Sequence, residues 1–122
     1  MNYATYYGIY KNVKLEVSNY MHGGGVYIGV YNDEDGPITN LTVNVPGYNL
    51  KENEAFIDTN NAPEALGFIK QYKLGKVTEE FAISGFCTYP KVIFDMDMVN
   101  KCKGEENGFA DSINYDEEEK YA

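Results

Sequence analysis

The 122-residue sequence contains no arginine and no tryptophan, one histidine (His22) and two cysteines (Cys87 and Cys102). Each scarcity removes a class of function. Reading duplex DNA calls for a basic patch and Arg forks on base edges, and ten lysines against 19 acidic side chains leave a net charge of −9. Direct nucleic-acid binding is therefore not expected. Cys87 and Cys102 show none of the short spacings of a metal knuckle or redox pair, and they read as free thiols. No apolar run approaches the roughly 18 residues that a membrane span needs. Met1–Thr5 carries neither a basic n-region nor an apolar h-region. The expectation is a cytoplasmic protein without membrane contact.

Catalytic and metal motifs are equally scarce. His22 and Cys87 could form a nucleophilic pair, but no third residue presents itself to orient the histidine. They read as a turn histidine and a structural cysteine. Asp33-Glu34-Asp35-Gly36 resembles the start of a calcium loop. Such a loop needs a bidentate Glu at its twelfth position, where this chain has Asn44. The reading is a non-enzyme with no catalytic residues, no metal and no cofactor.

A hydrophobic fraction of 43%, with 12 Tyr and 6 Phe, is ample for a folded core. The tyrosines of residues 1–10 fit helical or strand spacing, and their neighbours favour a strand. Val13, Leu15 and Val17 alternate with charged residues, as do Val26, Ile28 and Val30 with Tyr27, Gly29 and Tyr31. Both patterns mark half-buried strands, and Gly23-Gly24-Gly25 between them supplies a reversal. Asn32–Pro37 reads as a turn. A third strand runs from Ile38 to Val45 with Leu41, Val43 and Val45 inward, and Ala55-Phe56-Ile57 makes a short fourth. Asn61 as N-cap with Glu64 as its reciprocal partner opens a helix that buries Ala65, Leu66, Ile69 and Tyr72. Gly75 is expected to stop it. Phe81, Ile83 and Val92-Ile93-Phe94 supply the remaining strands.

The fold class is thus α+β: an antiparallel sheet of about four to six strands with one main helix packed on it. A single domain covers residues 1–99. An acidic C-terminal segment over 100–122 is expected to be loose or weakly helical. Residues 92–122 hold nine carboxylates (Asp95, Asp97, Glu105, Glu106, Asp111, Asp116, Glu117, Glu118, Glu119) against Lys101, Lys103 and Lys120, which is two thirds of the net charge.

Three features carry functional readings beside plainer ones. Lys70, Lys73 and Lys76 share one face near a helix C-terminus. They could meet a phosphate, or simply complement the helix dipole. Ser84-Gly85-Phe86-Cys87-Thr88-Tyr89-Pro90 is either a loop presenting Cys87 and Tyr89 or a bend into the last strand, with Tyr89–Pro90 a candidate cis bond. Acidic runs usually solvate a surface, but they also imitate the charge density of a nucleic-acid backbone. Asp95 and Asp97 on one strand face would lie about 6.6 Å apart.

Leu41-Thr42-Val43-Asn44-Val45, then Phe56-Ile57-Asp58-Thr59-Asn60-Asn61 with Pro63-Glu64, then Ser84–Pro90 together resemble a known group of sequences. It is a family of small uncharacterised proteins, a domain of unknown function, from phages and conjugative elements of low-GC Gram-positive bacteria. The resemblance covers roughly residues 12–95. It implies a mobile-element accessory protein, and such proteins are often inhibitors of host defence. The leading expectation is a stoichiometric inhibitor of a defence nuclease of anti-CRISPR or anti-restriction type. Its partner would be a host protein with a basic nucleic-acid channel, met by Asp95, Asp97, Glu105, Glu106, Asp116, Glu117, Glu118 and Tyr89. The alternative is a small-ligand binder, such as a sponge for a nucleotide signal, built on Lys70, Lys73 and tyrosines.

Overall fold

The computed structural model describes residues 1–104. The tyrosine-rich start is a hairpin of β1 (Tyr3–Thr5) and β2 (Gly8–Tyr10), with Tyr3 opposite Tyr10. One tyrosine anchors it. Tyr3 is fully buried, its hydroxyl donates to Glu64 Oε2 at 2.6 Å, and its ring lies 4.9 Å from that of Phe68.

The first alternating stretches form β3 (Lys14–Asn19) and β4 (Val26–Asn32), paired antiparallel with Leu15 opposite Val30 and Val17 opposite Ile28. β5 (Gly36–Asn40) completes a three-stranded sheet on the other side of β4. The expected single strand from Ile38 to Val45 is broken here. At the fully buried Leu41 the chain turns into β6 (Thr42–Val43), which belongs to another sheet. Hydrogen bonding explains the break. The Leu41 N–H donates to the Ile28 carbonyl in the first sheet, while its own carbonyl accepts from the Asp58 N–H beside the second. The buried Thr42 hydroxyl then takes the Ile28 N–H at 3.1 Å, where a continuing strand would have offered a carbonyl.

The second sheet is four-stranded, in the order β6-β7-β9-β8, all antiparallel. β7 (Glu54–Ile57) is buried at all four positions, as an interior strand covered on both faces should be. β8 (Gly75–Ser84) and β9 (Cys87–Phe94) form a long hairpin. The arrangement is α+β in outline, but it comprises three sheets where the sequence predicts one. It also has two short helices, α1 (Ala65–Gln71) and α2 (Met96–Lys101), where one main helix was expected. No helix among the described residues is long and apolar enough to cross a membrane.

Both ends of α1 depart from expectation. Glu64 occupies the N-cap with no side-chain cap bond, because its carboxylate serves Tyr3. Asn61 instead donates from its N–H and side-chain amide to Asp58. Phe68, with Ala65 and Ile69, fills the buried stripe, while Leu66 and Tyr72 are only half-buried. The helix ends before Gly75. The Lys73 N–H bonds the Lys70 carbonyl and the Leu74 N–H the Ile69 carbonyl. This is a complete Schellman motif with the apolar Leu74–Ile69 pair that accompanies it. Its left-handed residue is Lys73, at φ +56°. Ile69 and Leu74 are fully buried, each contributing about 1.5–3 kcal/mol of burial.

Residues 100–104, assigned to the acidic segment by the sequence reading, close α2 and join β3. The Leu15 N–H donates to the Cys102 carbonyl and the Gly104 N–H to the Leu15 carbonyl. The rest of that segment lies outside the described residues.

One buried carboxylate has a consequence for stability. Glu54 accepts from the Lys51 N–H at 2.9 Å and lies 3.4 Å from Lys91 Nζ, which also reaches Glu80 at 2.7 Å. The Lys51 bond is the main reason its carboxyl is held below the ordinary value of 4.5; burial opposes that shift and Lys91 reinforces it. A lowered folded-state pKa adds stability that is present above the unfolded value and lost as pH falls through the folded one. Lys91→Met should cost about 1–2 kcal/mol near neutral pH. The deficit should shrink in acid, where Glu54 is protonated in both proteins. Urea titrations at the two pH values check this, and a pH-independent deficit would point to lost packing instead.

Candidate functional site

Large apolar side chains stand exposed at Tyr6, Tyr7 and Ile9 around the β1–β2 hairpin, and at Phe81, Ile83 and Phe86 on the β8–β9 hairpin. The turn of the latter is Ser84-Gly85-Phe86-Cys87, with Ser84 paired to Cys87 and Gly85 at φ +61° in the first central position. That is the geometry of a type II′ turn, where glycine avoids the Cβ clash. Tyr89–Pro90, a candidate for a cis bond, is trans, and both residues lie within β9. Pro90 is tolerated opposite Phe81, next to the irregularity in pairing between Val77 and Phe81.

Strand alternation decides what the hairpin shows. Ala82 points inward and is fully buried, so Phe81 and Ile83 point outward, 53% and 57% exposed. Phe86, at the turn, is fully exposed. Beneath the hairpin, Val45, Phe56 and Ala82 form a small second core with Val43, Tyr48, Leu50 and Tyr89 packed around it. The Tyr48 ring meets Phe56 at 5.2 Å, and its hydroxyl accepts the Ile83 N–H at 3.1 Å. β8 is an edge strand, and Tyr48 covers part of its free edge. The apolar side chains are thus displayed on a braced support.

Tyr89 lies half-buried on β9. Its hydroxyl is raised above the ordinary tyrosine value, chiefly by a hydrogen bond with the Cys87 thiol and further by burial. His22 is exposed in the β3–β4 connection and makes no hydrogen bond to Cys87. Among the described residues no group of His, Cys, Asp and Glu side chains is placed to hold a metal ion.

The acidic candidates separate. Asp95 and Asp97 do not share a strand face, because β9 ends at Phe94. Asp95 is the N-cap of α2, and its Oδ1 accepts from the Asp97 and Met98 N–H groups at 3.1 and 3.2 Å. Capping satisfies two otherwise unpaired helix donors at once, which outweighs one more extended residue. Both aspartates are exposed. Tyr89 and Asp95 stand six residues apart along an extended chain, roughly 20 Å, so the structure does not gather them into one cluster. Glu105, Glu106, Asp116, Glu117 and Glu118 lie outside the described residues.

Phe81 and Ile83 were expected only as strand residues and Phe86 as part of a loop or bend, and the structure exposes all three. Period-two alternation puts Phe81 and Ile83 on one face of β8 but does not say which face is inward. The lysines are brought together. Lys70, Lys73 and Lys76 line one open cleft of about 500 Å³ with Gly75, Ile93, Phe94 and Asp95.

No curated protein and no solved structure matches the chain. A family model, described as a domain of unknown function (DUF4313), matches residues 14–112.

Proposed function

The chain belongs to the DUF4313 family, whose domain covers most of its length, and from that premise we propose a non-enzymatic binding protein. It is carried by a phage or conjugative element of low-GC Gram-positive bacteria and acts in the host cytoplasm. There it inhibits a defence nuclease of CRISPR or restriction type by stoichiometric binding. The observation that carries this reading is the display of Phe81, Ile83 and Phe86 on one hairpin of a chain with net charge −9. Exposed apolar side chains on a rigid support are a common basis of protein recognition.

The two features divide the work. Phe86 and its neighbours enter an apolar pocket of the partner and slow dissociation. The negative field, with Asp95, Asp97 and the carboxylates from Glu105 onward, steers the chain towards a basic nucleic-acid channel and speeds association. Charge steering is screened over about 10 Å at 0.1 M salt.

Capture of partners by the tagged full chain, from a host carrying its native defence systems, tests the reading. A nuclease should co-purify in fixed ratio and lose cleavage activity, and association should slow about tenfold from low to high salt. Recovery of no nuclease would overturn the inhibitor reading. A nuclease complex whose association ignored salt would overturn the role of the acidic field.

A further inference from the structure

We propose that the cleft between the end of α1 and the start of β8 is a binding site for a small phosphate-bearing anion, with Lys70, Lys73 and Lys76 as its cationic contacts. The inference is independent of the hairpin surface and adds a second, small-molecule function.

The three lysines come from three different local structures. Lys70 lies in the last turn of α1, Lys73 is the left-handed residue of the Schellman motif, and Lys76 is the second residue of β8. All three are exposed and all line the same cleft. None forms an ion pair among the described residues, whereas Lys14 pairs with Asp33 and Lys91 with Glu54 and Glu80. Three cations on one cleft, with no carboxylate paired to them among the described residues, offer an anion unshared positive charge.

Complementing the helix dipole does not account for the group. α1 spans seven residues, and Lys70 already supplies the cation in its last turn. Lys76 is on a strand, where no such dipole exists. Lys73 occupies the position at which glycine is usual, at φ +56°. Glycine would fill that position at lower backbone cost, so the side chain at 73 is present for something other than closing the helix.

The shape narrows the ligand. The cleft is about 500 Å³ and widely open to solvent, so it would hold a small ligand by surface contacts and charge rather than by enclosure. Lysine is a compact point charge suited to phosphate oxygens, and three of them match a di- or triphosphate group. A long polyanion would be repelled by a chain of net charge −9, while a short one meets mainly the local field. Asp95 supplies the cleft's one carboxylate and opposes an anion there.

Isothermal titration of the full chain at low salt, with inorganic tripolyphosphate and separately with ATP, tests the site. Saturable binding of tripolyphosphate is expected. Equal affinity for the two probes would identify the phosphate chain as the ligand, and tighter ATP binding would identify a nucleotide source. Replacing all three lysines by glutamine should weaken binding about tenfold. Asp95→Asn, which keeps an N-cap side chain, should tighten it about threefold. Lys73→Gly should weaken binding while raising the unfolding midpoint, a combination that a purely structural role would not give. Absence of binding by both probes, an unchanged affinity in the triple variant, or tighter binding of a thymidine oligonucleotide than of either probe would overturn the proposal. Asp95→Asn also separates the two functions, since loss of an acidic contact should weaken, not tighten, a complex with a basic protein.

Discussion

Replacing Gly24 with alanine is expected to remove about 3 kcal/mol or more of folding stability. Gly24 sits at φ +74°, and a Cβ built there would collide with the Leu50 backbone carbonyl. The left-handed conformation alone costs an L-residue about 1–2 kcal/mol, and the collision adds to it because a backbone atom cannot swing aside. Gly36 separates the two contributions. Its φ is +75°, but nothing lies within 4 Å of an added Cβ, so Gly36→Ala should cost only about 1–2 kcal/mol. Urea denaturation of the two variants measures the difference, and equal losses would show that the Leu50 contact has no weight. The effect should reach the binding surface. The Gly23 carbonyl accepts the Leu50 N–H at 2.9 Å, and Leu50 and Tyr48 both pack against the small core beneath the β8–β9 hairpin.

Phe86→Ala is expected to leave stability within about 0.5 kcal/mol and to weaken the partner complex by about 2–4 kcal/mol, some 30- to 1,000-fold. The split follows from its position. A fully exposed turn phenylalanine contributes no burial to the folded chain, so its truncation leaves no cavity. At an interface it would be the most accessible apolar anchor on the hairpin. Phe81→Ala and Ile83→Ala should weaken binding less, because those side chains are only about half exposed. Dissociation rates should carry the loss, with association nearly unchanged, since an apolar anchor does not steer encounter. Surface binding kinetics against the captured partner, beside thermal unfolding of each variant, check both halves. An unaltered dissociation rate for Phe86→Ala would remove the hairpin from the interface.

Some of this molecule was legible along the chain. The alternation of Val13, Leu15 and Val17, and of Val26, Ile28 and Val30, is local information, and it identified β3, β4 and their buried face. The expectation that Lys70, Lys73 and Lys76 share a helix face did not hold, because α1 ends at Gln71 and Lys76 lies on β8; they meet on one cleft instead. That cleft was not legible, since Ile93 and Phe94 arrive from the end of β9 and Asp95 from the cap of α2, 17 or more residues after Lys76.

Where prediction and structure part, a distant partner claims a group that the local pattern had assigned. Glu64 should have closed a capping box with Asn61, but Tyr3 takes its carboxylate across 61 residues of sequence. Ile38–Val45 should have been one strand, but Ile28 and Asp58 hold Leu41 from opposite sides. Asp95 and Asp97 looked like neighbours on a strand until Phe94 ended β9 and Asp95 became a cap.

Composition and periodicity alone gave the mostly antiparallel α+β outline, the burial of the first strands and the sign of the field, because each depends on residue types at short spacing. The division into three sheets, the display of Phe86 and the gathering of lysines into a cleft were decided only in three dimensions. Those outcomes depend on which of several competing partners satisfies each backbone group and side chain, and the winning partner is often remote in sequence.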